Sequence, residues 1–271
     1  MSPWVAGLVL FSAVLHASWN ALLKSGGDRL RGITVMAVSA GIISAVWVCF
    51  LPAPHVESWF YIFLPVVLHV AYYFLLVWAY RHGDLGVSYP VARGSSPLLV
   101  AAGAALVAGE RLDTFTLLGI VLVCGGIFGL ARGRSGTRGM VPALLTGAII
   151  ATYSVADGLG SRAAGNAWSY AAWLFVFNGL AMLPVLFWRG ARFDSNAQRS
   201  AAGGVVSLVG YAIVIWAASI SPMGQVSALR ESSVVVAAIL GWLFLGEQLG
   251  SRRLAACLIV AAGAACLGLR G

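Results

Sequence analysis

Apolar runs close to 20 residues long recur ten times along the chain, at 3–23, 31–51, 59–80, 87–108, 114–131, 140–160, 168–188, 201–220, 223–245 and 252–269. A helix needs about 20 mostly apolar residues to cross a bilayer, so each run predicts one spanning helix. The connectors are short, and no stretch remains for a soluble domain. The chain therefore reads as an all-α polytopic membrane protein, multi-pass in an inner (plasma) membrane, with the lipid bilayer as its solvent. Of its 271 residues only 10% are charged, where a soluble domain carries about 25%. That excludes a soluble enzyme, a nucleic-acid-binding domain and a disordered regulator, despite a net charge of +8. The N-terminus lacks the basic region and cleavage site of a signal peptide, so the first run is expected to stay as a helix. Cys49, Cys124, Cys257 and Cys266 lie in apolar runs without a C-x-x-C pair and read as small buried hydrophobes.

The basic residues are unevenly shared between the two sides. Connections after spans 1, 3, 5, 7 and 9 hold Lys24, Arg29, Arg31, Arg81, Arg132, Arg134, Arg138, Arg189, Arg192, Arg199, Arg252 and Arg253, against Arg111, Arg162 and Arg270 on the other side. By the positive-inside rule the first set is cytoplasmic and both termini lie outside.

Set against itself at an offset of 137 residues, the chain repeats. Arg93, Ser95 and Ser96 fall on Arg230, Ser232 and Ser233, and Leu106, Gly109, Glu110, Leu112 and Leu117 fall on Leu243, Gly246, Glu247, Leu249 and Leu254. Val123, Gly126 and Leu130 meet Val260, Gly263 and Leu267. The unit holds five spans, an odd number, so residues 1–133 and 138–271 predict two copies of opposite orientation around a central cavity. Inverted repeats are the usual construction of secondary transporters, with the site near the midplane between the halves.

Ser18-Trp19-Asn20 in span 1, Gly109-Glu110-Arg111-Leu112 running on to Gly119 and Gly126, and the second copy Gly246-Glu247-Gln248-Leu249 resemble the drug/metabolite transporter superfamily, of the ten-helix EamA type. The resemblance covers essentially the whole chain. It implies two inverted five-helix bundles, a cavity lined by spans 1, 3, 4, 6, 8 and 9, peripheral spans 5 and 10, and cargo drawn from amino acids, nucleobases, sugars, nucleotide-sugars or drugs. Many members are described with cytoplasmic termini and a basic C-terminal tail. This chain ends Leu269-Arg270-Gly271 and has no Lys or Arg between Pro52 and Ser58, so the loop charges are preferred for its orientation.

Ionisable groups inside spans are costly and need partners or water. Arg93 is expected about 9 Å and Arg230 about 10 Å from opposite faces at 1.5 Å per residue. Each is either structural or a clamp for an anionic group, which the planar guanidinium fork suits. Pro97 deprives the Arg93 carbonyl of its helical donor and Pro90 adds a second break, so span 4 is expected to be half-broken. Glu231 cannot pair face to face with its helix neighbour Arg230. It is expected either to pair with Arg93 across the pseudo-twofold or to be the coupling carboxylate that carries protons. Asp157 is expected to pair with Arg162 or to be solvated, and Glu110 and Glu247 to cap or pack. His16, Trp19, Asn20 and Lys24 share one face of span 1; Trp19 and Asn20 are expected to line the cavity, with Tyr153, Ser154 and Asp157 on the repeat-mate face of span 6. His69, Tyr72, Tyr73, Tyr89, Trp173 and Asn178 are weaker candidates. Gly125 and Gly129 form a G-x-x-x-G, expected to hold span 5 to its own bundle, with a homodimer contact as the alternative to a monomer.

Neither H-E-x-x-H, a G-x-S-x-G elbow nor a phosphate-binding glycine loop occurs, so no enzyme, no metal and no cofactor is predicted. The expected function is secondary transport, by alternating access, of a small polar metabolite: an amino-acid-like zwitterion or a small organic or organophosphorus anion. Arg93 and Arg230 would bind it, Trp19, Asn20, Tyr89 and Tyr153 would shape the pocket, and Glu231 would couple it to protons. The alternatives are a cation or drug efflux protein with structural arginines, or an uncoupled facilitator.

Overall fold

The computed structural model describes residues 1–24, 28–82, 85–131, 137–190, 194–245 and 250–268. Glu247 with Gly246, Gln248 and Leu249, several loop arginines and the side chain of Lys24 lie outside the described residues. Eleven α-helices are described: α1 (Pro3–Lys24), α2 (Arg29–Trp47), α3 (Trp59–His82), α4 (Leu85–Ala108), α5 (Thr114–Gly129), α6 (Thr137–Ala163), α7 (Ala167–Arg189), α8 (Ser195–Ile220), α9 (Met223–Arg230), α10 (Ser233–Leu245) and α11 (Ser251–Gly268). Together α9 and α10 make the ninth span. The fifth, α5, has 16 residues and is shorter than the others.

The helix ends follow from local chemistry. Asp28, Asp113, Asn166 and Asp194 sit as N-caps of α2, α5, α7 and α8, each side chain accepting from one or two of the first free amides. In the loops, the hydrogen bond from the Thr116 hydroxyl holds the Asp113 carboxyl below its ordinary range, and the one from Arg31 does the same for Asp194. Helix α4 stops where Gly109 turns the chain at φ +66°, which lets the Glu110 amide bond back to the Ala104 carbonyl at 3.2 Å. A positive φ at the residue after the helix is a common helix ending, and glycine adopts it without the strain a side chain would add.

Polarity is inside out relative to a soluble protein. Arg93, Arg230, Glu231, Asp157, His69, Asn178 and Gln225 are buried, whereas Trp4, Phe11, Ile42, Phe60, Val67, Leu106 and Leu258 are exposed. Cys49 is also exposed, contrary to expectation. At the end of the second span it faces outward with the other apolar side chains.

The packing obeys the inverted repeat. Repeat mates meet directly: α2 on α7, α5 on α11, and α4 on α9. Other contacts come in exchanged pairs, α1 on α8 with α3 on α6, and α4 on α6 with α1 on α9 and α10. Spans 5 and 10 are peripheral as expected, but they grip each other across the two halves instead of staying within their own bundles. The Gly125–Gly129 pair is not what holds them. A Cβ on Gly125 would meet nothing within 4 Å, whereas one on Gly126 would lie 2.7 Å from Val260 Cγ2 and 3.0 Å from the Ala256 carbonyl. One on Gly119 would lie 2.8 Å from Leu267, and one on Gly263 2.8 Å from the Gly119 carbonyl. Seven residues, two turns, put Gly119 and Gly126 on one face; Gly125 is turned off that face, and a Cβ on Gly129 would reach only ordinary contact with Ala256 at 3.9 Å. Because backbone cannot yield as a side chain does, Gly126→Val should push α5 and α11 apart and lower stability by about 1–3 kcal/mol. Gly125→Val should be near neutral. Thermal unfolding of both variants in detergent checks the contrast.

The expected break is in the other half. Helix α4 runs through Pro90 and Pro97 without interruption, and the Arg93 carbonyl that Pro97 orphans accepts instead from the Ser96 hydroxyl at 3.2 Å. The corresponding stretch of the second half does break. Bonds from Ser232 to Leu229, Val234 to Glu231 and Val235 to Ser232 close three-residue turns between α9 and α10, a tighter winding than the α-helix.

Candidate functional site

The break seats Glu231 at the centre of the molecule. It is fully buried, with Oε2 2.8 Å from Arg93 Nε and Oε1 3.9 Å from Arg230 Nη2. The partnership with Arg93 across the pseudo-twofold is therefore present. The expectation that Glu231 could not also face Arg230 is corrected: Glu231 keeps helical dihedrals as the C-cap of α9, and the length of the arginine side chain lets Nη2 come round to within 3.9 Å of its neighbour's carboxylate. Both arginines converge on one carboxylate from the two halves. Neither Glu231 oxygen has an aligned hydrogen bond, so the contact is one of charge. Opposite charge this close offsets the cost of burying each group.

Arg93 is the more fully engaged guanidinium. Its Nη2 lies 3.0 Å from His16 Nε2; a guanidinium can only donate, so Nε2 accepts and His16 carries any ring proton on Nδ1. Arg230 is looser. It stands 5.6 Å over the Tyr211 ring, comes no closer than 3.9 Å to Glu231, interacts with the Tyr153 hydroxyl, and lines a cavity with Ser154, Asp157, Tyr211, Met223 and Ser227.

Tyr153 is buried and stacks on His69, ring centroids 4.2 Å apart. The His69 Nδ1–H donates to the Pro65 carbonyl at 2.8 Å, and its ring meets Tyr211 edge-on at 5.8 Å. Tyr89 and Tyr72 lie within electrostatic reach of Arg93. Trp19 and Asn20 are half-buried and set back behind His16: the Trp19 ring packs edge-to-face on the imidazole at 4.9 Å, and the Asn20 amide donates to the His16 carbonyl at 2.8 Å. Of the predicted residues, then, Arg93, Arg230, Glu231 and Tyr153 come together, Tyr89 flanks them, and Trp19 and Asn20 buttress the cluster through His16.

Asp157 departs most from expectation. It is buried, and Arg162 does not reach it: Arg162 pairs with Glu110 at 2.6 Å and donates to the Ala218 and Ser221 carbonyls. Asp157 Oδ1 lies 2.9 Å from the Tyr170 hydroxyl and Oδ2 2.5 Å from that of Tyr211. Neither tyrosine stands out as polar in an apolar run. The available signal for Tyr211 was depth, because ten residues into its run it is too far from the interface for the aromatic belt. Glu110 has the capping role expected of it, though on a distant helix: Oε2 accepts from the Met223 amide at 2.9 Å, at the start of α9.

A sequence model of the EamA-like transporter family matches the chain twice, over residues 3–132 and 137–269. No curated protein matches it in sequence. A solved structure described only as the crystal structure of a protein is similar at a TM-score of 0.73, over 98% of this chain and 96% of that one, with 19% identity. At that identity the likeness is one of fold.

Proposed function

Because the chain belongs to the EamA-like transporter family, a family of membrane transporters and not of enzymes, we propose that it carries a small polar metabolite with an anionic group across the inner membrane by alternating access. The cargo is an amino-acid-like zwitterion or a small organic or organophosphorus anion. Arg230 binds its anionic group, Tyr153 and Tyr89 shape the pocket, and Arg93 holds the frame, with Trp19 and Asn20 supporting it through His16.

One observation carries this reading. Two guanidiniums share a single central carboxylate, and the less engaged of them, Arg230 at 3.9 Å, lines the cavity. A carboxylate or phosphonate entering there can take both prongs of the Arg230 fork and displace Glu231 toward Arg93. Glu231 is then the coupling residue in the sense that its pairing changes with occupancy. The excess of basic residues in the connections after spans 1, 3, 5, 7 and 9 supports placing that face in the cytoplasm.

The test is thermal unfolding of the detergent-purified protein with amino acids, small carboxylates, phosphonates, nucleobases or cationic drugs, in wild type and Arg230→Gln. A ligand at a hundred times its Kd stabilises the native state by about 2.7 kcal/mol. Anionic or zwitterionic ligands should raise the midpoint of wild type only. Stabilisation by cations alone, unchanged in the variant, would make the protein a cation carrier with structural arginines.

A further inference from the structure

A count of protons around Asp157 leads beyond this. Three short oxygen–oxygen contacts meet there: Tyr170 to the Tyr61 carbonyl at 2.5 Å, Tyr170 to Asp157 Oδ1 at 2.9 Å, and Tyr211 to Asp157 Oδ2 at 2.5 Å. Each needs a proton between its oxygens. The Tyr61 carbonyl can only accept, so it takes the single proton of Tyr170. Tyr211 supplies the proton toward Oδ2. The contact between Oδ1 and Tyr170 is left without one unless the acid itself donates. Charge points the same way, since a buried carboxylate needs a paired cation and among the described residues no ion pair reaches Asp157.

Among the described residues, Tyr170 on α7 and Tyr211 on α8 touch Asp157, and Tyr153 on its own helix and Arg230 on α9 act on it by charge. His69 on α3 lies behind Tyr153 and Tyr211, and Arg162 is further along the helix of Asp157. His69 gives its Nδ1–H to Pro65 and Arg162 is held by Glu110. Among the described residues, Arg230 alone of the cations shares the cavity with Asp157.

We propose that Asp157 is the proton-binding site of this carrier, a neutral acid in this conformation, and that its proton and an anion on Arg230 bind together. With Asp157 neutral, Arg93 and Arg230 face only Glu231, and the cluster has one positive charge to spare for an anion. Loss of the proton to water in whichever compartment the cavity faces gives a carboxylate that competes for Arg230 and expels the anion. The proton site stands on the hydrogen count alone; its linkage to an anion rests on the transport reading above.

Infrared spectroscopy of the full-length protein at neutral pH, without added solute, tests the site. A carboxylic-acid C=O stretch is expected in wild type and in Glu231→Gln and should vanish in Asp157→Asn. Tyr211→Phe, which removes one hydrogen bond to the acid, should shift the band, and this assigns it even if Asp157→Asn does not fold. No band, or a band that disappears with Glu231→Gln, overturns the proposal. The linkage is read by titrating L-alanine and acetate over the pH range in which each keeps one charge state: affinity should fall about tenfold or more as Asp157 ionises, and be independent of pH in Asp157→Asn. Unaltered pH dependence in that variant overturns the linkage. Binding of neither probe at any pH counts against the anion reading, while the band upholds the proton site.

Discussion

Arg93→Ala is expected to lower stability by about 3–5 kcal/mol, because it leaves Glu231 charged, fully buried and without its closest partner. Arg230 cannot compensate. It stands 3.9 Å away and is held between the Tyr211 ring and the Tyr153 hydroxyl. The double variant Arg93→Met/Glu231→Gln should recover most of the loss, since removing both charges removes the penalty of burying either. Arg230→Ala is expected to divide the effects differently. Glu231 keeps Arg93, so the fold should survive with a smaller loss, while cargo affinity falls by about 2–5 kcal/mol, roughly 30- to 4,000-fold. Unfolding midpoints and proteoliposome uptake, measured together on both variants, separate frame from clamp. Equal damage to stability from the two substitutions, or undiminished uptake in Arg230→Ala, would remove the distinction between them.

The sequence made this architecture legible because a bilayer admits few solutions. Ten apolar runs leave the chain only helices, and the match of Arg93 with Arg230 and of Glu110 with Glu247 marks the two halves. The same symmetry reasoning identified the Arg93–Glu231 pair, because a carboxylate alone in a span must find a cation. It failed where the halves differ. Pro97 was a sound reason to expect a break in the fourth span, yet Ser96 supplies the missing hydrogen bond locally, and the break falls at Glu231–Ser232, where no proline marks it. Periodicity could not reveal which helix faces which, so the grip of Gly126 on Val260 lay hidden behind a more familiar glycine pattern one residue away. The Asp157 cage was invisible for a related reason. Tyr170 and Tyr211 are ordinary residues of membrane helices, and only three helices brought together turn their hydroxyls into partners for one acid.

Glu110→Ala is expected to open the cavity toward the face where α4 ends and α9 begins. Glu110 belongs to the first half, yet the partners of its side chain lie in the second: Arg162 at the end of α6, which in turn holds the Ala218 and Ser221 carbonyls, and the first amide of α9. One side chain thus ties the two halves at a single face. Losing a helix cap costs about 1 kcal/mol, and an ion pair whose arginine is a third exposed adds at most about 1 kcal/mol. A shift of 1–2 kcal/mol changes a population roughly 5- to 30-fold. A Ser154→Cys reporter in the cavity, with the native cysteines replaced, should react with a membrane-impermeant thiol reagent faster by about that factor from the Glu110 face. Glu110→Gln keeps an oxygen for the Met223 amide and gives up only the ionic part, so it should show the smaller share of the increase. The 137-residue repeat carries Glu110 onto Glu247; if the halves exchange conformations during transport, Glu247→Ala will raise labelling from the opposite face and lower it from this one. Labelling that is the same in all three variants would mean that Glu110 caps α9 without latching the halves together.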